Sequence, residues 1–99
     1  MSNWRSQLPK YHPLYREPPA TFSHAQQVQA ISVLEKATTQ MKGDPAVNAG
    51  RALLAIRLQR DVGEVERPLA EAIRRSEPGD VRQSLETLWR LLFHRNVPR

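Results

Sequence analysis

The chain has 99 residues, which is enough for one small domain. It contains no cysteine, so disulfide bonds, thiolate zinc sites, iron–sulfur clusters and cysteine nucleophiles are excluded. Fifteen lysines and arginines against ten acidic residues give a net charge of +5, which keeps polyanion binding among the candidate functions. The cations are scattered from Arg5 to Arg99, however, and this distribution is more typical of a solvated, ion-paired surface than of a nucleic-acid face.

Residues 1–22 are predicted to form an extended N-terminal arm. Residues 1–23 hold four of the eight prolines and four of the six aromatic residues. Proline lacks a backbone donor and pushes the preceding residue towards extended geometry, so no useful helix is expected there. Tyr11, Leu14 and Tyr15 are candidate anchors for docking into a groove. Docking on its own bundle, docking on a second copy and disorder remain open alternatives for this arm.

From Ser23 onwards apolar residues recur at helical spacing. Ser23 and Gln26 match a capping box, and apolar residues then follow in steps of three and four, so a helix is predicted over 24–42. Gly43 is suited to a left-handed stop. Asp44 as the N-cap and Pro45 at the first helical position predict a second helix over 45–60.

The second helix is predicted to be central because its apolar arc is broad. The small residues on it would let a neighbouring helix approach closely. The side expected to face the core comprises Ala46, Val47, Gly50, Leu53, Leu54 and Leu58, with Ala49 and Ile56 adjoining. The polar strip expected to face water comprises Asn48, Arg51, Ala52, Ala55 and Gln59.

The third and fourth helices are predicted over 67–76 and 81–94. Helical spacing runs through residues 61–67, but Gly63 and Pro68 argue for a break, so a loop is placed at 62–66. In the fourth helix Asp80 and Gln83 match a second capping box. Ion pairs at i,i+4 are expected between Glu71 and Arg75 and between Glu86 and Arg90.

Four helical segments joined by short turns, with no alternating strand pattern, predict an all-α protein. The architecture expected is a small antiparallel bundle over residues 23–96 that carries the extended arm. No signal peptide is expected, and no aliphatic stretch approaches the roughly 20 residues that span a bilayer. We therefore expect a cytoplasmic protein that does not enter a membrane.

No catalytic or metal-binding pattern is recognisable. The glycines are isolated rather than spaced as in phosphate-binding loops, and His12, His24 and His94 share no ligand spacing. Most acidic residues have expected structural roles: Asp44 and Asp80 as helix caps, and Glu71 and Glu86 as ion-pair partners of arginines. We expect no enzyme activity, no cofactor, no metal and no small-molecule substrate.

The fourth helix carries more large apolar residues than one core face requires. Trp89 and Phe93, four residues apart, widen the arc beyond the row of leucines, and large aromatics contribute much of the energy at protein interfaces. Trp89, Phe93, Leu85 and Leu92 are therefore candidate interface residues. The alternative is that they cover one side of the bundle or pack against the N-terminal arm.

Two functions follow from these patterns. The leading hypothesis is a non-enzymatic protein-interaction module, namely a regulator, adaptor or inhibitor that forms a homodimer and binds a partner protein through apolar helix and arm surfaces. The alternative is a basic, helix-turn-helix-like regulator that binds nucleic acid. Its recognition helix would begin with Arg82, Gln83, Ser84, Glu86 and Thr87.

Overall fold

The structure, a computed structural model, describes residues 20–98 and contains four α-helices. They are α1 (His24–Gln40), α2 (Asp44–Arg57), α3 (Val62–Arg75) and α4 (Asp80–Phe93). Short turns join successive helices, α2 packs against both α1 and α3, and α4 closes the ring against α3 and α1. The predicted all-α antiparallel bundle is confirmed.

The start of α1 follows the predicted capping box. Ser23 Oγ accepts a hydrogen bond from the Gln26 backbone N–H at 3.2 Å, and Gln26 Oε1 accepts one from the Ser23 N–H at 2.9 Å. The Gln26 amide nitrogen also donates to the Leu91 carbonyl at 3.3 Å, which joins the start of α1 to the end of α4. The helix ends at Gln40, two residues before the predicted end.

The predicted loop at 62–66 is wrong, because α3 begins at Val62 and contains Pro68 in its interior. Asp61 caps the helix by accepting a hydrogen bond from the Gly63 N–H at 3.0 Å. An interior proline costs about 3 kcal/mol. Starting the helix at Val62 places Val65 in the core, and burying such a side chain returns about 1.5–3 kcal/mol. The burial of Val65 offsets much of this cost, and the Asp61 cap adds to the stability of the longer helix.

Neither predicted aspartate cap is present. Asp44 and Asp80 are the first residues of α2 and α4, the N-cap positions are Gly43 and Gly79, and neither cap receives a side-chain hydrogen bond. Gly43 adopts a φ of +70°, which favours glycine. The Asp44 carboxylate pairs with Arg75 at 3.1 Å, so it links α2 to α3 rather than capping its own helix.

The core contains many small side chains. On α2 the buried residues are Ala49, Ala52, Leu53, Ala55 and Ile56. Ala52 and Ala55 were expected on the polar strip, so this prediction is wrong. Val47, Leu54 and Leu58 were expected to face the core, but they are exposed.

Close helix approach explains this orientation of α2. A helix that packs against two neighbours at once can come nearer to both through alanines than through leucines. A Cβ atom added at Gly50 would lie 3.7 Å from Thr38 Cγ2 of α1, which shows how near the two helices are. Within residues 20–98 every buried side-chain nitrogen and oxygen has a hydrogen-bond partner.

Candidate functional site

The apolar face of α4 lies inside the bundle. Leu85, Trp89 and Leu92 are all buried, and Trp89 is only 2% exposed. The indole Nε1 donates to the Asn96 carbonyl at 3.0 Å, which fixes the segment after α4 against the helix. These three predicted interface residues are therefore inaccessible to a partner of the folded monomer.

Phe93 is partly buried within an intramolecular aromatic cluster. Its ring centroid lies 4.4 Å from that of Trp89 and 5.6 Å from that of Phe22, the latter in an edge-to-face arrangement. The Arg95 guanidinium lies 5.4 Å from the Phe93 ring and 5.3 Å from the Trp89 ring. The surplus aromatic surface of α4 is thus covered by the chain itself. The arm residues Tyr11, Leu14 and Tyr15 lie outside the described residues.

The large exposed apolar residues are concentrated on α2 instead. Three residues form what we call the α2 ridge: Val47 and Leu54 on α2, and Leu58, the C-cap residue that follows the helix. They are 52%, 57% and 55% exposed. Their spacing of seven and four residues places them on one face of the helix. They span about 17 Å along the helix axis at 1.5 Å per residue.

Sequence reasoning missed the α2 ridge because it assigned the large apolar residues to the core side of the helix and placed Ala52 and Ala55 on the polar strip. The signal was present in the alanines at positions 49, 52 and 55, which recur every three residues. A row of small residues at this spacing marks a face on which neighbouring helices approach closely. The larger residues on the opposite face are then left in solvent.

The α2 ridge borders a cleft between α2 and α3, with a volume of about 750 Å³, that we call the α2–α3 cleft. Val47 belongs to the ridge and also lines the cleft. Six charged residues also line the cleft: Asp44, Arg51, Glu64, Arg67, Glu71 and Arg75. An apolar ridge beside a charged cleft is the usual composition of a protein-binding surface, which has an apolar centre and a polar rim.

Most carboxylates near the α2 ridge are already paired. Glu71 accepts hydrogen bonds from Arg75 at 3.0 Å and Arg74 at 2.7 Å, and these bonds lower the pKa of its carboxyl group. Asp44 pairs with Arg75, and on the other side of α2 Glu35 pairs with Arg57 at 2.9 Å. The carboxylates that frame the ridge are thus largely neutralised by arginines of the same chain.

Two other large aliphatic residues are exposed, each on a different helix. Val28 is on α1, and Leu91 is on α4 beside a shallow hollow of about 600 Å³ between α4 and α1. Single exposed apolar residues are normal on protein surfaces and need no functional explanation. Among the large apolar residues exposed in the described region, only the α2 ridge places three on one helix face.

A second cavity, between α3, α4 and residues 96–98, is basic. Its volume is about 740 Å³, and Arg74, Arg82, Arg90 and Glu86 line it. Glu86 lies 3.8 Å from Arg82 and forms no ion pair with Arg90, so the predicted Glu86–Arg90 pair is wrong. The predicted Glu71–Arg75 pair is present at 3.0 Å. We call this second cavity the basic cavity.

The residues of the helix-turn-helix hypothesis lie on the side of α4 away from the core. Gln83 and Thr87 are exposed, whereas Arg82, Ser84 and Glu86 are partly buried. Leu85, Leu88 and Trp89 attach the opposite face of α4 to the core. The exposed face therefore offers few side chains long enough to read a base edge, whereas the basic cavity offers three arginines.

Between residues 20 and 98 no group of three or more histidine and acidic side chains is arranged to hold a metal ion. None of the helices in this region is long and apolar enough to cross a membrane.

Comparisons with known proteins returned nothing that bears on this site. A scan against protein-family models, a search of curated proteins and a search of solved structures each gave no match.

Proposed function

We propose that the chain is a small non-enzymatic protein-interaction module, a regulator, adaptor or inhibitor that binds a partner protein through the α2 ridge. The observation that carries the proposal is the inverted packing of α2. This helix buries its alanines and leaves Val47, Leu54 and Leu58 more than half exposed on one face.

The energetic argument concerns apolar area. Burying apolar surface contributes about 25 cal/mol per Å², so three half-exposed aliphatic side chains on one face form a binding centre worth several kcal/mol at most. A domain this small buries little apolar surface, so exposed aliphatic side chains on one face do not contribute to its stability. A partner that covers the ridge buries this surface and stabilises the folded chain.

The test compares two surface variants of the full chain. Leu54→Ser with Leu58→Ser removes two of the three ridge residues, and Val28→Ser with Leu91→Ser removes two aliphatic residues elsewhere that are 53% and 42% exposed. Both double variants are expected to keep the helical circular dichroism of the wild type. Only the ridge variant is expected to lose the proteins that co-purify from the native host, as quantified by mass spectrometry.

The same variants test the homodimer. A homodimer that forms through the α2 ridge is expected to give a concentration-dependent mass in sedimentation, and the ridge variant is expected to remain monomeric. If both double variants match the wild type in sedimentation and in co-purification, the α2 ridge has no binding role and the proposal fails.

The second candidate function is nucleic-acid binding, which the three arginines of the basic cavity favour. Arginines in one groove suit phosphate contacts, and binding of that kind weakens steeply with salt. If this function is right, the chain binds unspecific duplex DNA at low salt, and Arg82→Ala with Arg90→Ala weakens the binding. Absence of binding at low salt would eliminate it.

A further inference from the structure

The shape of the α2 ridge suits an α-helix as its occupant. Val47, Leu54 and Leu58 form a narrow row about 17 Å long, which matches about three helical turns. A helix lying along such a row buries the apolar residues that recur on one of its own faces. The α2–α3 cleft beside Val47 gives the flank of such a helix a place to lie.

The charges beside the ridge set the chemistry of that helix. Arg51 lies four residues after Val47 and three before Leu54, so it adjoins the ridge directly. Arg67 lines the facing α3 side of the cleft. Neither arginine forms an ion pair with any residue between 20 and 98. Both are exposed.

The acidic residues of the cleft compensate these two arginines only in part. Asp44 and Glu71 are held by Arg75, with Glu71 also held by Arg74. Glu64, one helical turn before Arg67, is the remaining carboxylate of the cleft. Two exposed arginines against one carboxylate leave an excess of positive charge beside the ridge, which favours an acidic partner.

We infer that the α2 ridge and the α2–α3 cleft receive an acidic amphipathic helix of a partner protein. Its apolar face covers Leu54 and Leu58, and its carboxylates meet Arg51 and Arg67. The inference rests on the proposed function and adds to it the chemical class of the partner.

A second copy of this chain fits the same surface less well. In an antiparallel pairing of two ridges the symmetry axis passes near the middle of the ridge, and Arg51 lies one to two residues from that point. The pairing would bring two Arg51 side chains together, and like charges opposed across an interface cost free energy. The net charge of +5 adds repulsion between the two copies.

The test uses the full chain and a designed probe. The probe is a fluorescein-labelled peptide of about 18 residues, long enough for five helical turns, with leucines at helical spacing on one face and glutamates on the other. A second peptide replaces every glutamate by lysine, and a third scrambles the leucines. Fluorescence anisotropy measures binding of each peptide, and sedimentation measures self-association.

The wild type is expected to bind the acidic peptide at least about tenfold more tightly than either control peptide, because two charge pairs and the apolar row act together. Leu54→Ser is expected to weaken binding about tenfold. Arg51→Glu with Arg67→Glu is expected to weaken it as much and to shift the preference towards the lysine peptide. Lys36→Glu with Lys42→Glu makes the same change in net charge at two exposed lysines that line neither the ridge nor the cleft, and it is expected to alter binding less than about twofold.

Three results would overturn the inference. One is equal binding of the acidic and lysine peptides. Another is an equal loss on Lys36→Glu with Lys42→Glu, which would mean that net charge alone attracts the peptide. The third is a stable dimer that Leu54→Ser dissociates, which would make a second copy the occupant. If the peptide shows no charge preference but the ridge variant still loses its co-purifying protein, the inference fails and the proposed function stands. If Leu54→Ser changes neither peptide binding nor co-purification, both the inference and the proposed function fail.

Discussion

Helices α2 and α4 are both 14 residues long and both rich in large aliphatic residues, yet they use those residues in opposite ways. On α4 the large side chains Leu85, Leu88, Trp89 and Leu92 are buried. On α2 the buried face consists mainly of alanines, and Val47, Leu54 and Leu58 face solvent. The number of apolar residues on a helix therefore does not determine which of its faces is buried.

The difference between the two helices arises from their neighbours. α2 packs closely against α1 and α3, and close packing selects small side chains at the contacts. α4 fills the remaining width of the bundle, and there large side chains are needed to exclude voids. An aromatic residue on α4 is thus explained by the fold, whereas a leucine on the outer face of α2 is not, and this contrast moves the candidate interface from α4 to α2.

The largest expected effect separates a leucine on α4 from one on α2. Leu85→Ala removes a fully buried side chain and is expected to lower the free energy of unfolding by about 2–5 kcal/mol. Leu54→Ala removes a side chain that is 57% exposed and is expected to change it by less than about 0.5 kcal/mol. Urea unfolding of the two full-length variants measures both values, and similar losses would mean that the two helices are not packed as described.

The second expected effect tests the alanine face of α2 directly. Ala52 is fully buried, and Ala52→Leu adds three carbon atoms where the helices approach closely. Such overpacking is expected to destabilise the protein by about 1–3 kcal/mol. The matched control is Val47→Leu on the exposed face, which is expected to be neutral in the same unfolding measurement. If Ala52→Leu were as neutral as the control, Ala52 would lie on the polar strip that the sequence indicated.

Local signals predicted the fold because they act over a few residues. The Ser23–Gln26 capping box and the helical spacing after it placed the start of α1 correctly. The start of α3 was predicted wrongly. Gly63 and Pro68 are local signals that favour a loop, whereas the burial that favours the helix depends on contacts with other helices. Competition between a local cost and a tertiary gain is not visible in one stretch of sequence.

The candidate site could not be predicted because it depends on which helices meet. The alanine row is a local signal on α2, but it competes with the larger apolar arc that includes Leu54 and Leu58, and α2 alone does not show which of the two faces its neighbours contact. The sequence showed that α4 carries more apolar residues than its core face needs, but it did not show what contacts them. Phe22 and Arg95, which contact Phe93, lie in segments outside the helix. A surplus of apolar residues in a sequence therefore indicates contact, but it does not distinguish contact within the chain from contact with a partner.

The third expected effect is a gain in stability at the contact between α1 and α2. Gly50 lies within α2, and a Cβ atom there would meet Thr38 Cγ2 at 3.7 Å, an ordinary van der Waals distance. Gly50→Ala is therefore expected to raise the free energy of unfolding by about 0.5–1 kcal/mol, because alanine loses less backbone entropy in a helix. A loss in urea unfolding would mean that α1 and α2 approach more closely than described, and that α2 tolerates no added atom on this side.

The smallest expected effect concerns the ion pairs that frame the α2–α3 cleft. Hydrogen bonds from Arg75 and then Arg74 lower the pKa of Glu71 below its ordinary value of 4.5, so the folded state favours the ionised carboxylate. The stabilisation is present above the pKa of the unfolded chain and is lost as the pH falls through the lower pKa of the folded state. The wild type is therefore expected to lose its advantage over Glu71→Gln as the pH is lowered from 7 to about 3 in urea unfolding. A pH-independent difference between the wild type and Glu71→Gln would mean that Glu71 acts through packing and that its ion pairs with Arg74 and Arg75 do not contribute to stability.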